Sequence, residues 1–532
     1  YVSGGDPIHI PELTYEQFIE HHRRFYRPDN AYIILDGSVD LELVLNVLDT
    51  EYLSAYDREN TQLSIPMQRP IKSVPKKAYY ELPPDEPVVG RARLIWGNVL
   101  GDFRNREAQM ALRALADTLC GSNQSPLKRA LLSAKLAQDV RISLMDGIQQ
   151  PVAILEVRNM DESCIAAVEN TVQSELKRLC HEGLDHEQLA AVLANYEFQM
   201  RERVYGSMPQ GLGFSMDILD SWLYGGDPMM HLEYEETFAA LKEGADHGYF
   251  EGLIRTYLLD NPYEAVVIAS PKKNLTARIE EQTAKKLKEY KDSLSKEEID
   301  ALIRQTKELK EYQDTPSPKE DLEKIPMLTR DEIGREPAKL IFEETKLDGI
   351  TVVRHEMFTS GIGYLKVLFN TNRVPMEDLP YLGLLKSVLG YVDTKNYSYS
   401  DLSSEIFLNS GGVSFSVTSY PDLAKAGNFT GVFVCSARVL YEKLDFGFEI
   451  LEEIINRSVL DDEKRLNEIL SEGKSKSQMK LMGSGHTAAV ARGTSYFSDT
   501  SYFNDMTGGI GYYKFLEDLA KNFETKKDDI IA

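Results

Sequence analysis

The sequence predicts a mixed α+β (α/β) protein in which one folding unit occurs twice. Three observations predict it. Strand-length apolar runs and apolar stripes at helical spacing alternate along the chain. Their order is strand, helix, turn, helix, strand and then paired helices. It is met between about residues 70 and 271 and again between 336 and 532. Between these blocks the composition turns to Lys and Glu with thinly spaced apolar residues.

Residues 1–60 read as the tail of a further domain. Thr14 and Gln17 form a capping box, in which hydroxyl and amide satisfy the free N–H groups of a helix start. That helix runs to about Tyr26 and ends at Arg27-Pro28-Asp29-Asn30. Ala31 to Leu35 reads as a buried strand, Asp36-Gly37 as a turn and Leu41 to Leu53 as a second helix. A lone helix–strand–helix cannot cover both faces of its strand, so its sheet partners are expected upstream. A chain that begins at Tyr1 rather than Met reads as processed or cut from something longer.

In the first block, Arg91 to Trp96 reads as a strand and Arg106 to Cys120 as a helix. Gly121-Ser122-Asn123-Gln124 is a turn, and Pro126 opens a helix at its favoured early position. Val152 to Val157 is a strand. Ile165, Val168, Val172, Leu176 and Leu179 form a helical stripe that Gly183 stops. Leu189 to Met200 carries the next stripe, and Tyr263 to Ala269 is a late strand. Residues 272–335 read as an exposed helical hairpin, with a capping box at Ser295 and Glu298, ended by Thr315-Pro316-Ser317-Pro318. As a hinge or as a rigid strut this hairpin fits equally well.

In the second block, strands are expected at Thr351 to Arg354, Tyr364 to Asn370, Val413 to Thr418 and Phe429 to Cys435. Helices are expected at Pro380 to Leu389, Ser400 to Leu408, along Leu444, Phe448, Leu451 and Ile455, and at Asp462 to Met479. The blocks align in order: Leu94-Ile95-Trp96 with Val367-Leu368-Phe369, Ser125 to Leu131 with Ser400 to Ile406, and Asp185 with Asp461.

The chain has 532 residues, enough for three or four domains at roughly 150 residues each. Apolar residues make up 42% and charged residues 27%, which suits a globular core. The net charge of -24 repels phosphate backbones and anionic lipid, so nucleic acid and membrane surfaces are not expected partners. No apolar run approaches the roughly 18 residues of a spanning helix. Cys120, Cys164, Cys180 and Cys435 form no CxxC pair and read as buried thiols of a cytoplasmic or other reducing compartment.

Hydrolysis by zinc needs three protein ligands, an open position and a carboxylate base, carried on a helix as H-E-x-x-H or H-x-x-E-H. His181-Glu182-Gly183-Leu184-Asp185-His186 tempts, but its histidines are five apart and would point about 140° apart even on a continuous helix. His21 and His22 face apart. His9, His231, His247, His355 and His486 have no partner at ligand spacing. Gly483-Ser484-Gly485-His486 reads as a turn between helices, and Gly206-Ser207-Met208-Pro209-Gln210-Gly211 as a loop. Gly508-Gly509-Ile510-Gly511 fails the dinucleotide pattern, because Lys514 stands at its last glycine position and no strand precedes it. No catalytic residue and no metal ligand is assigned to any position.

Distributed short stretches carry a resemblance. They are Ser3-Gly4-Gly5-Asp6-Pro7, Ile10-Pro11-Glu12-Leu13-Thr14 and Tyr26-Arg27-Pro28-Asp29-Asn30-Ala31. Gly206-Ser207 with Pro209 and Gly211-Leu212 follow, then Trp222 with Tyr224 and Asp227-Pro228. Thr315-Pro316 with Pro318, and Arg354-His355 with Phe358-Thr359 and Tyr364, come next. The last are Gly483-Ser484-Gly485-His486, Ala489, Arg492 and Gly508-Gly509. In this order they resemble the presequence-protease branch of the insulinase/pitrilysin-type zinc metallopeptidases, over nearly the whole chain.

The resemblance implies a clamshell of four related domains, each a mainly antiparallel sheet packed with helices. The halves are joined by a helical hairpin and close around unfolded peptides. It implies a zinc site upstream of Tyr1, an inverted H-x-x-E-H with a distal Glu, and a last domain beyond Ala532. On this reading 1–60 is the C-terminal tail of the catalytic first domain, 70–271 the second domain, 272–335 the hairpin and connector, and 336–532 the third domain. The chain is then an inactive middle portion, monomeric, of a zinc metalloendopeptidase. The alternatives are part of a catalytically degenerate scaffold or peptide-binding subunit, or an unrelated duplicated binding protein.

Overall fold

A computed structural model describes residues 4–7, 9–58, 65–71, 75–122, 125–336, 339–425 and 427–531. Ser3, and Asn123-Gln124 of the expected turn, lie outside the described residues. Helices α1 (Tyr15–Phe25) and α2 (Leu41–Val47) open the chain, the first with the Thr14/Gln17 capping box in place. The first block runs β1 (Lys76–Glu81), β2 (Ala92–Val99), α3 (Arg106–Cys120), α4 (Pro126–Ser133), β3 (Asp139–Met145) and β4 (Val152–Met160). It continues through α5 (Ile165–Glu182), α6 (His186–Glu202), α7 (Gln210–Trp222), α8 (Glu235–Ala245), α9 (Tyr249–Leu253) and β5 (Glu264–Lys272). Two long helices, α10 (Leu275–Ser293) and α11 (Lys296–Asp314), and the short α12 (Lys319–Leu322) lead onward.

The second block runs β6 (Glu343–Leu347), β7 (Ile350–Arg354), β8 (Ile362–Asn370), α13 (Leu379–Val388), α14 (Tyr399–Asn409), β9 (Gly412–Pro421) and β10 (Phe429–Leu440). Helices α15 (Leu444–Arg457), α16 (Glu463–Gly483), α17 (Gly485–Thr494), α18 (Asp499–Gly508), α19 (Ile510–Lys521) and α20 (Phe523–Ile531) close it.

The strand pairing shows the duplication. In the first block β4 lies between β2 and β3, antiparallel to both. In the second, β10 lies between β8 and β9, again antiparallel to both. Cross-strand rows face the helices in each: Leu94–Val157–Val140 and Trp96–Leu155–Ile142, against Leu365–Ala437–Val413 and Val367–Cys435–Phe415. Period-two alternation puts these side chains on one face, where α3, α5 and α6 or α13, α14 and α15 cover them. Burying each such side chain contributes about 1.5–3 kcal/mol. The first sheet adds β5 antiparallel to β2, then β1 parallel to β5. The second has instead a separate β6–β7 hairpin, turned by Asp348 and Gly349 at positive φ.

Several expectations are corrected. Ala31–Leu35 is extended but no described strand pairs with it, and its side chains are largely exposed; an apolar run becomes a strand only with a ladder neighbour. The aligned caps are displaced. Ser398, not Ser400, takes the place of Ser125, because its hydroxyl accepts the Asp401 N–H. Asp462, not Asp461, matches Asp185, because its carboxylate accepts the Arg465 N–H. Two of the four thiols, Cys164 and Cys180, are only half-buried. The exposed Lys/Glu segment does form two helices, and neither α10 nor α11 buries a residue.

Candidate functional site

The histidines come first, because a hydrolytic metal would need them. His181 and His186 lie on either side of Gly183, whose φ of +90° ends α5, and both are exposed. His186 sits 3.8 Å from Asp246. His21 and His22 stack on Phe25 and Tyr26. His9 bonds Glu12, and His355 bonds the Ile341 carbonyl. Among the described residues no three His, Cys, Asp or Glu side chains are grouped to hold a metal ion. The residues present therefore do not fit a catalytic zinc.

The most highly organised polar site is the seam where the first block meets the second. Helix α6 ends there, and its Glu202 carboxylate, only 5% exposed, accepts from Arg438 Nη1 at 2.6 Å and from Tyr364 Oη at 2.9 Å. Arg438 also donates to the Gly411 carbonyl and lies over the Phe198 ring. Burial and the Glu202 carboxylate push the Tyr364 hydroxyl up to about 12, so it stays a donor. A Cβ at Gly411 would run into the edge of the Phe198 ring, and only glycine lets the ring lie flat against the backbone. One turn of α6 thus docks through a ring, a carboxylate and a guanidinium. Sequence reading missed this site because its two sides are separated by more than 160 positions. The Tyr364 of the resembling stretches was its only visible trace.

A second polar cluster lies beneath α7. Tyr205 Oη donates to Asp217 at 2.7 Å. Asp220 is pushed up to about 6, by burial first and then by Asp146 and Asp217. Arg106 is 8% exposed, and its Nη1 and the His231 Nε2 are buried without a hydrogen-bond partner among the described atoms. Burial, then Arg106, brings the imidazole down to about 4.

The glycine-bearing stretches are structural. Gly211 admits the Asp36 carboxylate at the start of α7, and Gly213 admits the Tyr205 ring. Tyr32 meets Trp222 edge-on at 4.8 Å, so residues 31–36 lie along α7. Ser221 donates to the Asp227 carbonyl at 2.6 Å and closes the turn after Trp222. In the second block, buried Asp505 pairs with Arg492 and accepts the Ile510 and Gly511 N–H groups at 3.0 and 3.1 Å. It caps α19, and Gly509 and Gly511 leave room for it. The Gly508–Gly511 run is a carboxylate-capped helix corner, with no strand before it.

Duplicated sheets of this order, helix-covered and joined by two charged helices, define a class. Residues 12–196 match the family model described as Peptidase M16 inactive domain. Residues 270–519 match the model for the region associated with subfamily C of the M16 peptidases. The chain belongs to the M16 peptidase family. Its relatives place it on the presequence-protease side. Protein HypA of Clostridium perfringens is 35% identical over 99% of this chain and 54% of its own. Presequence protease 1, chloroplastic/mitochondrial, of Arabidopsis thaliana is 29% identical over 98% of this chain and 49% of its own. The chain spans about half the length of the curated relatives it matches. The crystal structure of pitrilysin covers 95% of this chain and 51% of its own at 13% identity, with a TM-score of 0.40. No helix of the described residues is long and apolar enough to cross a membrane.

Proposed function

We propose that this chain forms the non-catalytic wall of a zinc metalloendopeptidase that encloses unfolded peptides in a chamber and degrades them. Alone it is inactive. The observation that supports this best is a pair of M16-type repeats in which the described residues gather no metal-ligating trio. Residues 1–60 then finish a catalytic domain, 70–271 and 336–532 are the second and third domains, and 272–335 joins the halves. The zinc is held elsewhere in the whole enzyme, so no chemical step is assigned to side chains of this chain. Their work is to exclude folded proteins by size and to hold flexible peptides in place. The chain acts as a monomer in a reducing compartment, where its four free thiols persist. Metal analysis by mass spectrometry with a fluorogenic peptide assay tests this. No stoichiometric zinc and no turnover are expected; bound zinc with chelator-sensitive cleavage overturns the assignment.

A further inference from the structure

The two sheets differ at one edge, and the first shows what the second lacks. In the first, β5 fills the slot beside β2, antiparallel to it, and β1 closes the far side parallel to β5. In the second, β8 holds the place of β2, but among the described residues its outer edge has no partner. The hairpin β6–β7 holds the place of β1 in chain order, and β7 is ladder-bonded on one edge only. Set against the first sheet, the second is one strand short between β8 and β7.

Side-chain cover tells the same story. Along β2, alternate residues Ala92, Leu94 and Trp96 are buried, and Val266 of β5 joins their core. Along β8, Tyr364, Leu368 and Phe369 stay exposed. Ile350, Val352 and Val353 of β7 are exposed as well. Unpaired main-chain groups on β8 and uncovered apolar side chains on both strands are what an added strand satisfies together.

We propose that β8 and β7 form a strand-acceptor site for an extended peptide with apolar side chains at alternate positions. The peptide runs antiparallel to β8 and parallel to β7, as Glu264–Lys272 runs between β2 and β1. Main-chain hydrogen bonds hold it, and the exposed apolar residues of β8 set its preference for alternation. The site is built from third-block residues alone and stands whether or not the chain belongs to a degrading enzyme.

Hydrogen exchange with mass spectrometry on the whole chain tests it. The probe is a synthetic peptide with the sequence of residues 264–272, EAVVIASPK. Exchange is expected to slow at least about tenfold over 350–354 and 362–370 when the peptide saturates. A version N-methylated at alternate residues on its β8-facing edge should give no protection. Unchanged exchange in these segments, or equal protection by the N-methylated peptide, overturns the proposal. Protection that rises with protein concentration alone, with a dimer in sedimentation, also overturns it, because the occupant is then a second copy.

Discussion

Replacing Gly411 by alanine tests the seam directly. The added Cβ has no room, because the Phe198 ring, 6% exposed, already lies against that backbone. Overpacking of this kind costs about 1–3 kcal/mol. Phe198→Ala removes the ring and costs about 3 kcal/mol, the low end for a buried aromatic, since the site is a seam rather than a core centre. In the double variant the new methyl enters the vacated space. The glycine substitution should then be neutral or stabilising by about 0.5 kcal/mol, through the narrower unfolded ensemble. The coupling energy is therefore about 2 kcal/mol, far above the few tenths expected of independent sites. A chain of this size does not unfold in one step, so the assay is local opening by hydrogen exchange over 196–204 and 407–413. If the single-variant effects simply add in the double variant, Phe198 does not pack on Gly411 and the seam is misassigned.

Glu156 is a second test. Its buried carboxylate meets Arg93, Arg141 and Arg158. Burial pushes its pKa up, but the arginines outweigh this and hold it below its ordinary 4.5. A depressed carboxylate stabilises the fold above the unfolded value and loses that stabilisation as pH falls through the folded one. Glu156→Gln should cost about 2 kcal/mol at pH 7, because the arginines are partly solvated, and the gap to the parent should close below about pH 4 in urea melts. Arg492→Met should cost about 2 kcal/mol in the second block, since Asp505 keeps its two backbone donors; faster exchange confined to 499–512 would locate the effect. Ser295→Ala should lower helix stability by about 1 kcal/mol, read as faster exchange of amides 296–299 only.

What was legible in the sequence was what local chemistry specifies. Capping boxes at Thr14 and Ser295 and apolar stripes at Ile165–Leu179 placed helices to within a residue or two. Strand β3 was missed although Val140, Ile142 and Leu144 alternate, because Asp139, Arg141 and Ser143 dilute its apolar signal. Strand β1, at a sheet edge and rich in Lys and Tyr, carries almost no burial signature. The apolar run Ala31–Leu35 misled in the opposite direction: hydrophobicity says what a segment could bury, and only a neighbour makes it a strand. The seam was illegible because Glu202, Tyr364, Gly411 and Arg438 are each ordinary alone and acquire meaning by proximity. The glycines at 509 and 511 looked like a phosphate loop for the same reason, since the sequence could not show that a carboxylate occupies the concavity.

The long helices α10 and α11 bury nothing, yet they bear on the seam. Each of their 19 residues adds about 1.5 Å, so each helix is a rod of about 28 Å. Tethering by such a linker turns the meeting of the repeats into an intramolecular event, at a local concentration on the order of millimolar. A latch of one ring and one carboxylate, too weak to join two separate molecules, then closes most of the time and still releases quickly. Shortening or lengthening the rods would retune that occupancy without touching a single atom of the latch.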